Sequence, residues 1–276
     1  MRNLNGSNIQ FAQDERIFFE ALTHTYSVID IGTMKSVTQV IQTFFEEFKA
    51  EYWSLRKCNG DKQQAAELRD KWACKAKFAS QIGTHLHEQI EHFLNTGAKP
   101  MLHCDIAYEG EYICEKKTVS IEKEWKMYMK FHHQTHYQPF RTEWAVYDED
   151  TRIAGTIDLI CAKDDGTYEL YDWKRSNKVI PHQDNRFSHG QHGLEHLPDT
   201  SYQHYCLQQN MYRHIVEKNY GLTISAMHLV VLHPEATIEW NGNIYTPAGQ
   251  YRIIDVPKME REIDIIFNQR QEELKA

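Results

Sequence analysis

Apolar positions along this chain recur first at helical spacing, then at strand spacing, then at helical spacing again. An extended stretch over residues 23–30 leads to Gly32. Ser36 and Gln39 then form a capping-box pattern. Val37, Val40, Ile41, Phe44, Phe45, Phe48 and Tyr52 follow the helical period, which predicts a helix starting near Ser36. Leu68, Trp72, Ala76, Ala79, Ile82, Leu86, Ile90 and Phe93 mark the buried stripe of a second helical stretch over residues 62–95, with a break expected near Gly83. A strand pair is expected around 103–114 and a third helix over about 120–136. A strand meander follows over 141–147, 153–162 and 167–173, with acidic turns at Asp148, Glu149, Asp150 and at Asp164, Asp165, Gly166. A polar loop is expected over 177–199 and a helix over 200–219 that stops at Gly221. A strand over 224–232, a tight turn at Asn241 and Gly242, and an amphipathic helix over 257–274 complete the pattern. The order predicts a mixed α/β core wrapped by an N-terminal helical portion. We read one domain over 1–276, helical to about residue 100 and α/β beyond it.

Composition narrows the picture only a little. The 276 residues are 41% apolar and 25% charged, an ordinary globular balance. No apolar run approaches the ~20 residues that span a bilayer, and the N-terminus lacks a basic stretch before an apolar run. An intracellular protein without a membrane partner is expected. The net charge of −8 argues against a protein that coats nucleic acid electrostatically. It leaves room for a nucleic-acid enzyme, because carboxylates gathered around metal ions add negative charge. Lys116, Lys117, Lys123, Lys126 and Lys130 could form a basic helix face, or a plain solvated one. The six cysteines contain no CxxC pair, so six free thiols are expected.

The chemistry concentrates in Glu143, then Gly155, Thr156, Ile157 and Asp158, then Asp172, Trp173 and Lys174. Residues two apart in a strand share a face, so Asp172 and Lys174 project together, and an antiparallel neighbour can bring Asp158 beside them. Carboxylate oxygens bind Mg²⁺ or Mn²⁺, and a lysine there can orient water or neutralise charge on a phosphate. On spacing alone a second reading stands, in which both aspartates are surface residues near ordinary turns. Against it, both follow apolar segments that should be buried, where an unpaired carboxylate is costly. His87, Glu91 and His92 fit neither the HExxH nor the HxxEH spacing of zinc proteases, since Glu91 stands where HExxH needs its second histidine.

The pattern of Glu143, the run Gly155 to Asp158, and Asp172-Trp173-Lys174 resembles the core of PD-(D/E)XK nucleases. Gly83, Thr84 and His87, followed by Glu91, resemble the upstream histidine motif of the RecB-like branch, and Gln208 with Tyr212 matches its QxxxY signature. His87 fits the GTxxH spacing and His85 does not. The segment ending in Ser36, Val37 and Thr38 is similar to phage-type and mitochondrial exonucleases of that branch.

The resemblance implies a restriction-endonuclease-like core and a metal-dependent deoxyribonuclease, an exonuclease in recombination, repair or replication. Its alternatives are a structure-specific endonuclease and a non-catalytic nucleic-acid-binding module. Asp158 and Asp172 would be the main metal ligands, joined by the Trp173 carbonyl and His87; Glu143 would hold or orient a metal. Lys174 would be catalytic, and Gln208 and Tyr212 would brace the site or contact substrate. Ser36, Thr38, Arg175, Arg186 and Tyr212 would contact DNA. Some relatives hold an iron–sulfur cluster through cysteines after QxxxY; here the last cysteine is Cys206, so no cluster is expected. No GxxxxGK[ST] loop is present, so any helicase motor would be a partner. The helix from Ser36 and the loop 177–199 are expected to close over the site and form a passage for one strand, with Arg186, Phe187 and the loop histidines His182, His189 and His192 meeting it.

Overall fold

The computed structural model describes residues 11–20 and 23–275. After a turn at Ala12–Glu15 come strands β1 (Ile17–Glu20), β2 (Thr25–Val28) and β3 (Gly32–Ser36), then helices α1 (Val37–Gln42), α2 (Ala50–Lys57) and α3 (Lys62–Thr96). A hairpin of β4 (His103–Glu109) and β5 (Cys114–Ser120) leads to α4 (Glu122–Gln134). The meander is β6 (Gln138–Asp148), β7 (Ile153–Ala162) and β8 (Tyr168–Lys174). Helix α5 (Ser201–Tyr220) crosses to β9 (Ile224–Val231). A small hairpin of β10 (Thr237–Ile238) and β11 (Ile244–Thr246), then β12 (Arg252–Asp255) and α6 (Glu260–Lys275), complete the chain.

These elements build an α/β protein with a mixed central sheet flanked by helices. β6, β7 and β8 pair antiparallel, β8 and β9 pair parallel, and β12 closes one edge against β9. Side-chain alternation sends successive residues to opposite faces. Leu159, Tyr171, Trp173 and Val230 pack under Leu86, Ile90 and Leu94 of α3 and under Trp125, Tyr128 and Phe131 of α4. Ile157, Ile160, Leu170, Leu229 and Val231 pack against α1, α5 and α6. Burying each such side chain contributes about 1.5–3 kcal/mol, so both helical layers are fixed on the strands that carry the polar motifs.

Several elements depart from the sequence pattern for identifiable reasons. The helix from Ser36 has the expected capping box but ends at Gln42. Beyond it, the Phe44 carbonyl accepts the Gln191 N–H at 2.8 Å and Phe45 bridges to Gly190, so the 177–199 segment takes backbone groups that a longer helix would use. α3 runs unbroken through Gly83 for 35 residues, roughly 50 Å. It ends at Gly97 in the left-handed conformation. The basic run does not form one helix face: Lys116 and Lys117 lie in β5 while Lys123, Lys126 and Lys130 lie in α4. The N-terminal portion is not helical throughout, because β1, β2 and β3 join the main sheet, β3 running parallel beside the start of β7. The 177–199 segment is packed rather than loose, with Val179, Ile180, Leu194 and Leu197 buried. All six cysteines are free. Among the described residues no helix is long and apolar enough to cross a membrane.

Candidate metal centre

The polar motifs meet where the sheet forks. On one side β7 pairs with β6 along its length. On the other side Ile153 and Ala154 pair with β3, and pairing resumes only at Leu159 opposite Tyr171 of β8. Between these two stretches, among the described residues, β7 has no partner strand on that side, and Asp158 stands at the fork. Its carboxylate replaces the missing ladder bond, accepting the Trp173 N–H at Oδ2 (2.8 Å). Glu143 lies across from Asp158, between the pairs Thr142–Leu159 and Trp144–Ile157. Its backbone is left-handed, with φ of 42°. That conformation costs a non-glycine residue about 1–3 kcal/mol and is characteristic of functional sites.

From the opposite layer α3 brings His87. Its Nε2 lies 2.9 Å from the Trp173 carbonyl, which can only accept, so Nε2 carries the proton. Nδ1 is left with its lone pair, 3.4 Å from Asp158 Oδ2 and 3.9 Å from Glu143 Oε1. A carbonyl fixing the far nitrogen of a histidine is the usual way to orient a metal-ligating imidazole. Ligand atoms of His87, Glu143 and Asp158 all lie within 4.8 Å of one another. Burial lowers the His87 pKa to about 4, helped by the nearby Lys174 charge, so the ring is neutral and able to donate its lone pair at neutral pH. Burial raises the pKa of Glu143, and repulsion from Asp158 and Glu91 adds to the rise. Asp158 is also raised by burial, against the opposing pull of Lys174 and the Trp173 N–H.

Asp172 and Lys174 project toward α5. Asp172 is 1% exposed. Its Oδ1 accepts from Gln209 Nε2 at 3.1 Å and its Oδ2 lies 2.6 Å from Lys174 Nζ. Burial raises the Asp172 pKa to about 6 despite Lys174. Burial works against the Lys174 ammonium, but Asp172 and Asp158 outweigh it and its pKa ends raised. Lys174 is therefore a cation at neutral pH. It donates to Gln208 Oε1 at 3.0 Å and lies 4.3 Å from the Tyr205 ring centre, and Gln208 donates to the Tyr212 hydroxyl at 3.2 Å.

The residues expected at the site thus separate into groups. His87, Glu143 and Asp158 converge on one point; Asp172, Lys174, Gln208 and Tyr212 form a hydrogen-bonded wall beside it. The Trp173 carbonyl holds His87. His85, two residues from His87, is buried elsewhere against the Met101 carbonyl at 2.7 Å. Of the residues expected to meet DNA, Ser36 is buried and its hydroxyl is used in capping α1, whereas Thr38 is exposed. Arg175 turns to the buried Glu124 at 2.8 Å, Tyr212 is buried, and Arg186 is exposed in the long loop. Sequence reasoning missed Gln209, which anchors Asp172, and Tyr205, which lies under Lys174. Gln209 follows Gln208 directly and Tyr205 lies three residues before it, but neither carries a pattern of its own. It also missed Tyr26, whose hydroxyl meets Thr156 Oγ1 at 2.9 Å. Gly155 did carry a signal, since a glycine inside a strand marks a close approach. A Cβ there would stand 2.6 Å from Tyr212 Cε1.

No family model matches this chain, and no curated protein matches it. Among solved structures, the crystal structure of SSO0001 is similar over 87% of this chain and 76% of that chain, at 13% identity and a TM-score of 0.32. A likeness at that level carries no argument about chemistry.

Proposed function

We propose that this chain is a divalent-metal-dependent nuclease of the PD-(D/E)XK type that hydrolyses DNA phosphodiester bonds, acting on free ends. The observation that supports it most is the convergence of His87, Glu143 and Asp158 beside a buried Asp172–Lys174 pair. Three carboxylates share a largely buried site with one ammonium. Burial is the main cause that raises their pKa values, and a bound cation would offset that cost. An imidazole lone pair among carboxylate oxygens fits a borderline cation, and Mn²⁺ should suit this donor set better than Mg²⁺.

A bound cation would polarise the phosphodiester and acidify a water. The protein's own groups do the rest. Lys174 supplies a fixed ammonium for charge that grows on the phosphate oxygens, the kind of preorganised donor that contributes most in the transition state. Gln208 and Tyr205 hold that ammonium in place, and Tyr212 holds Gln208. Gln209 keeps Asp172 oriented. His87 stays neutral, so it serves as a ligand rather than as a proton donor.

The test is digestion of end-labelled single- and double-stranded DNA with Mn²⁺, with Mg²⁺ and with excess EDTA, using the parent and Asp158→Asn. Cleavage should need the metal and should be lost in the variant. Undiminished cleavage in EDTA, or no cleavage of any DNA with either metal, would overturn the reading.

A further inference from the structure

A groove distinct from the metal centre lies between the loop at 182–187 and the turn joining β10 to β11. It is a cavity of about 510 Å³, lined in part by His182, Arg186, Phe187, Glu239, Trp240 and Asn241. That volume is in the range of small-ligand sites, about 300–1,000 Å³. Phe187 is 90% exposed and Trp240 78% exposed, and Ile238 and Ile244 are more than half exposed on the same hairpin. Large aromatic rings left in water on one face mark a contact surface. The frame holding them is not slack. The Gly242 N–H bonds to the Glu239 carbonyl and the Asn243 N–H to Asn241 Oδ1, both at 2.9 Å, so the turn presents Trp240 in a defined place. On the facing wall the Phe187 N–H bonds to Asn185 Oδ1 at 3.1 Å, and Asn185 is tied to the Asp199 carbonyl at 2.7 Å. His182 joins the walls, 3.3 Å from Glu239 and packed edge-on against Tyr245.

The position of the groove links it to the metal centre. One wall leaves the sheet just beyond Lys174, at the end of β8, and the other just beyond Val231, at the end of the parallel neighbour β9. The Leu232 N–H bonds to the Lys174 carbonyl at 2.9 Å, so the two departures lie side by side. Ligands of open α/β sheets gather outside the carboxyl ends of parallel strands. His182 follows Lys174 by eight residues, which limits their separation to roughly 28 Å.

We propose that this groove binds an unstacked base of the same single strand whose backbone reaches the metal centre. The proposal rests on the nuclease reading and adds a base-holding subsite to it. The lining chemistry fits a base better than a phosphate. Arg186 is outnumbered by Asp184 and Glu239, so the groove offers no net positive charge for a phosphate, while aromatic faces and the Asn241 amide suit the face and edge of a base. Stacking of this kind tolerates any sequence, because every base has a π-face.

The experiment measures binding alone. Fluorescence anisotropy in EDTA follows labelled oligothymidylate, and an abasic oligonucleotide of equal length and charge, on the parent, on Trp240→Ala, on Trp240→Phe and on the Phe187→Ala/Trp240→Ala double variant. The changes sit on exposed side chains, and far-UV circular dichroism checks folding. Trp240→Ala should weaken oligothymidylate binding roughly 5-fold or more, with Trp240→Phe closer to the parent and the double variant weaker still. The abasic strand should bind the parent poorly and be insensitive to the changes. Equal binding of oligothymidylate by parent and double variant, or equal binding of abasic and normal strands by the parent, overturns the groove. So does a self-association of the parent that Trp240→Ala abolishes without affecting oligothymidylate binding, which would make the patch a protein interface. A protein that shows base-dependent binding through Trp240 yet cleaves no DNA with Mn²⁺ would overturn the nuclease reading and leave the groove standing.

Discussion

Lys174 and the carboxylates around it carry opposite electrostatic burdens, and single substitutions separate them. Lys174→Ala removes an ammonium expected to act mainly in the transition state while leaving His87, Glu143 and Asp158 in place. DNA binding measured in Ca²⁺ should stay near the parent's, and the cleavage rate in Mn²⁺ should fall about 10²-fold or more. Parent-like cleavage would remove Lys174 from the chemistry. The acids predict a pH dependence. The folded Asp172 holds its proton to about pH 6, whereas an unfolded aspartate releases it near about pH 4. The stability this group contributes is therefore full below the unfolded value and is lost as pH rises through the folded one. Glu143 is raised in the same direction and extends the loss upward. A cation binds only the ionised forms, so its stabilisation should grow over the same window. Thermal unfolding in EDTA and in Mn²⁺, each at about pH 5 and about pH 8, should show a larger Mn²⁺-induced rise in Tm at the higher pH. An equal rise at both would place metal binding elsewhere.

Among the elements, the fork between β7 and β8 is the arrangement that makes the site. If β8 had kept its ladder one residue further, Asp158 and Asp172 would stand opposite each other in a regular sheet. Instead the strands part, and the Tyr212 ring of α5 fills the opening against Gly155. Gly155→Ala forces a Cβ to 2.6 Å from that buried ring. Overpacking there should cost about 1–3 kcal/mol in urea unfolding. The cost should shrink in a Tyr212→Ala background, because the two residues share the contact; an unchanged cost would mean the clash is not with Tyr212. Gly83 is the opposite case. It lies inside α3, and beyond its own helix backbone and chain neighbours no described atom comes within 4 Å of where a Cβ would be. Gly83→Ala should therefore stabilise the protein by about 0.5–1 kcal/mol, through helix propensity alone. A loss of stability would show that the histidine motif needs its glycine for packing.

At the scale of the whole molecule, two segments far apart in sequence are tied together: the end of α1 bonds to the 177–199 segment at Gln191 and Gly190. Phe45 also packs on His204 of α5, 4.1 Å between ring centres. On the proposed nuclease reading, the passage expected between these two segments admits a strand by a free end. Linear single-stranded DNA should be degraded progressively, and a closed circle of the same sequence should resist. Blocking each end in turn with biotin–streptavidin would identify the polarity. Equal initial rates on circle and line would favour an open endonuclease cleft and leave the metal centre untouched.

The sequence by itself determined the elements whose signals are local. β7 falls where its run of β-formers and its flanking turns put it, and α5 is bounded by Thr200 as its cap and Gly221 in the left-handed conformation. It also singled out His87 rather than His85, and Glu143, Asp158, Asp172 and Lys174, as residues that the structure then finds close together. Their meeting was a matter of tertiary structure. The backbone of α1 stops where a distant loop competes for its carbonyls, and no residue from Thr43 to Phe45 announces that. β3 lies beside β7, and β12 beside β9, through long-range pairing in short strands with little periodicity to read. Gln209, Tyr205 and Tyr26 reach the site only because α5 and β2 are laid against the fork. Arg175, which the motif places next to Lys174, is drawn away by Glu124 of α4, since a buried carboxylate demands a partner more strongly than an exposed surface does. Local propensity and pattern are written into neighbouring residues. Which buried charges find one another depends on the packing of elements that are far apart in the chain.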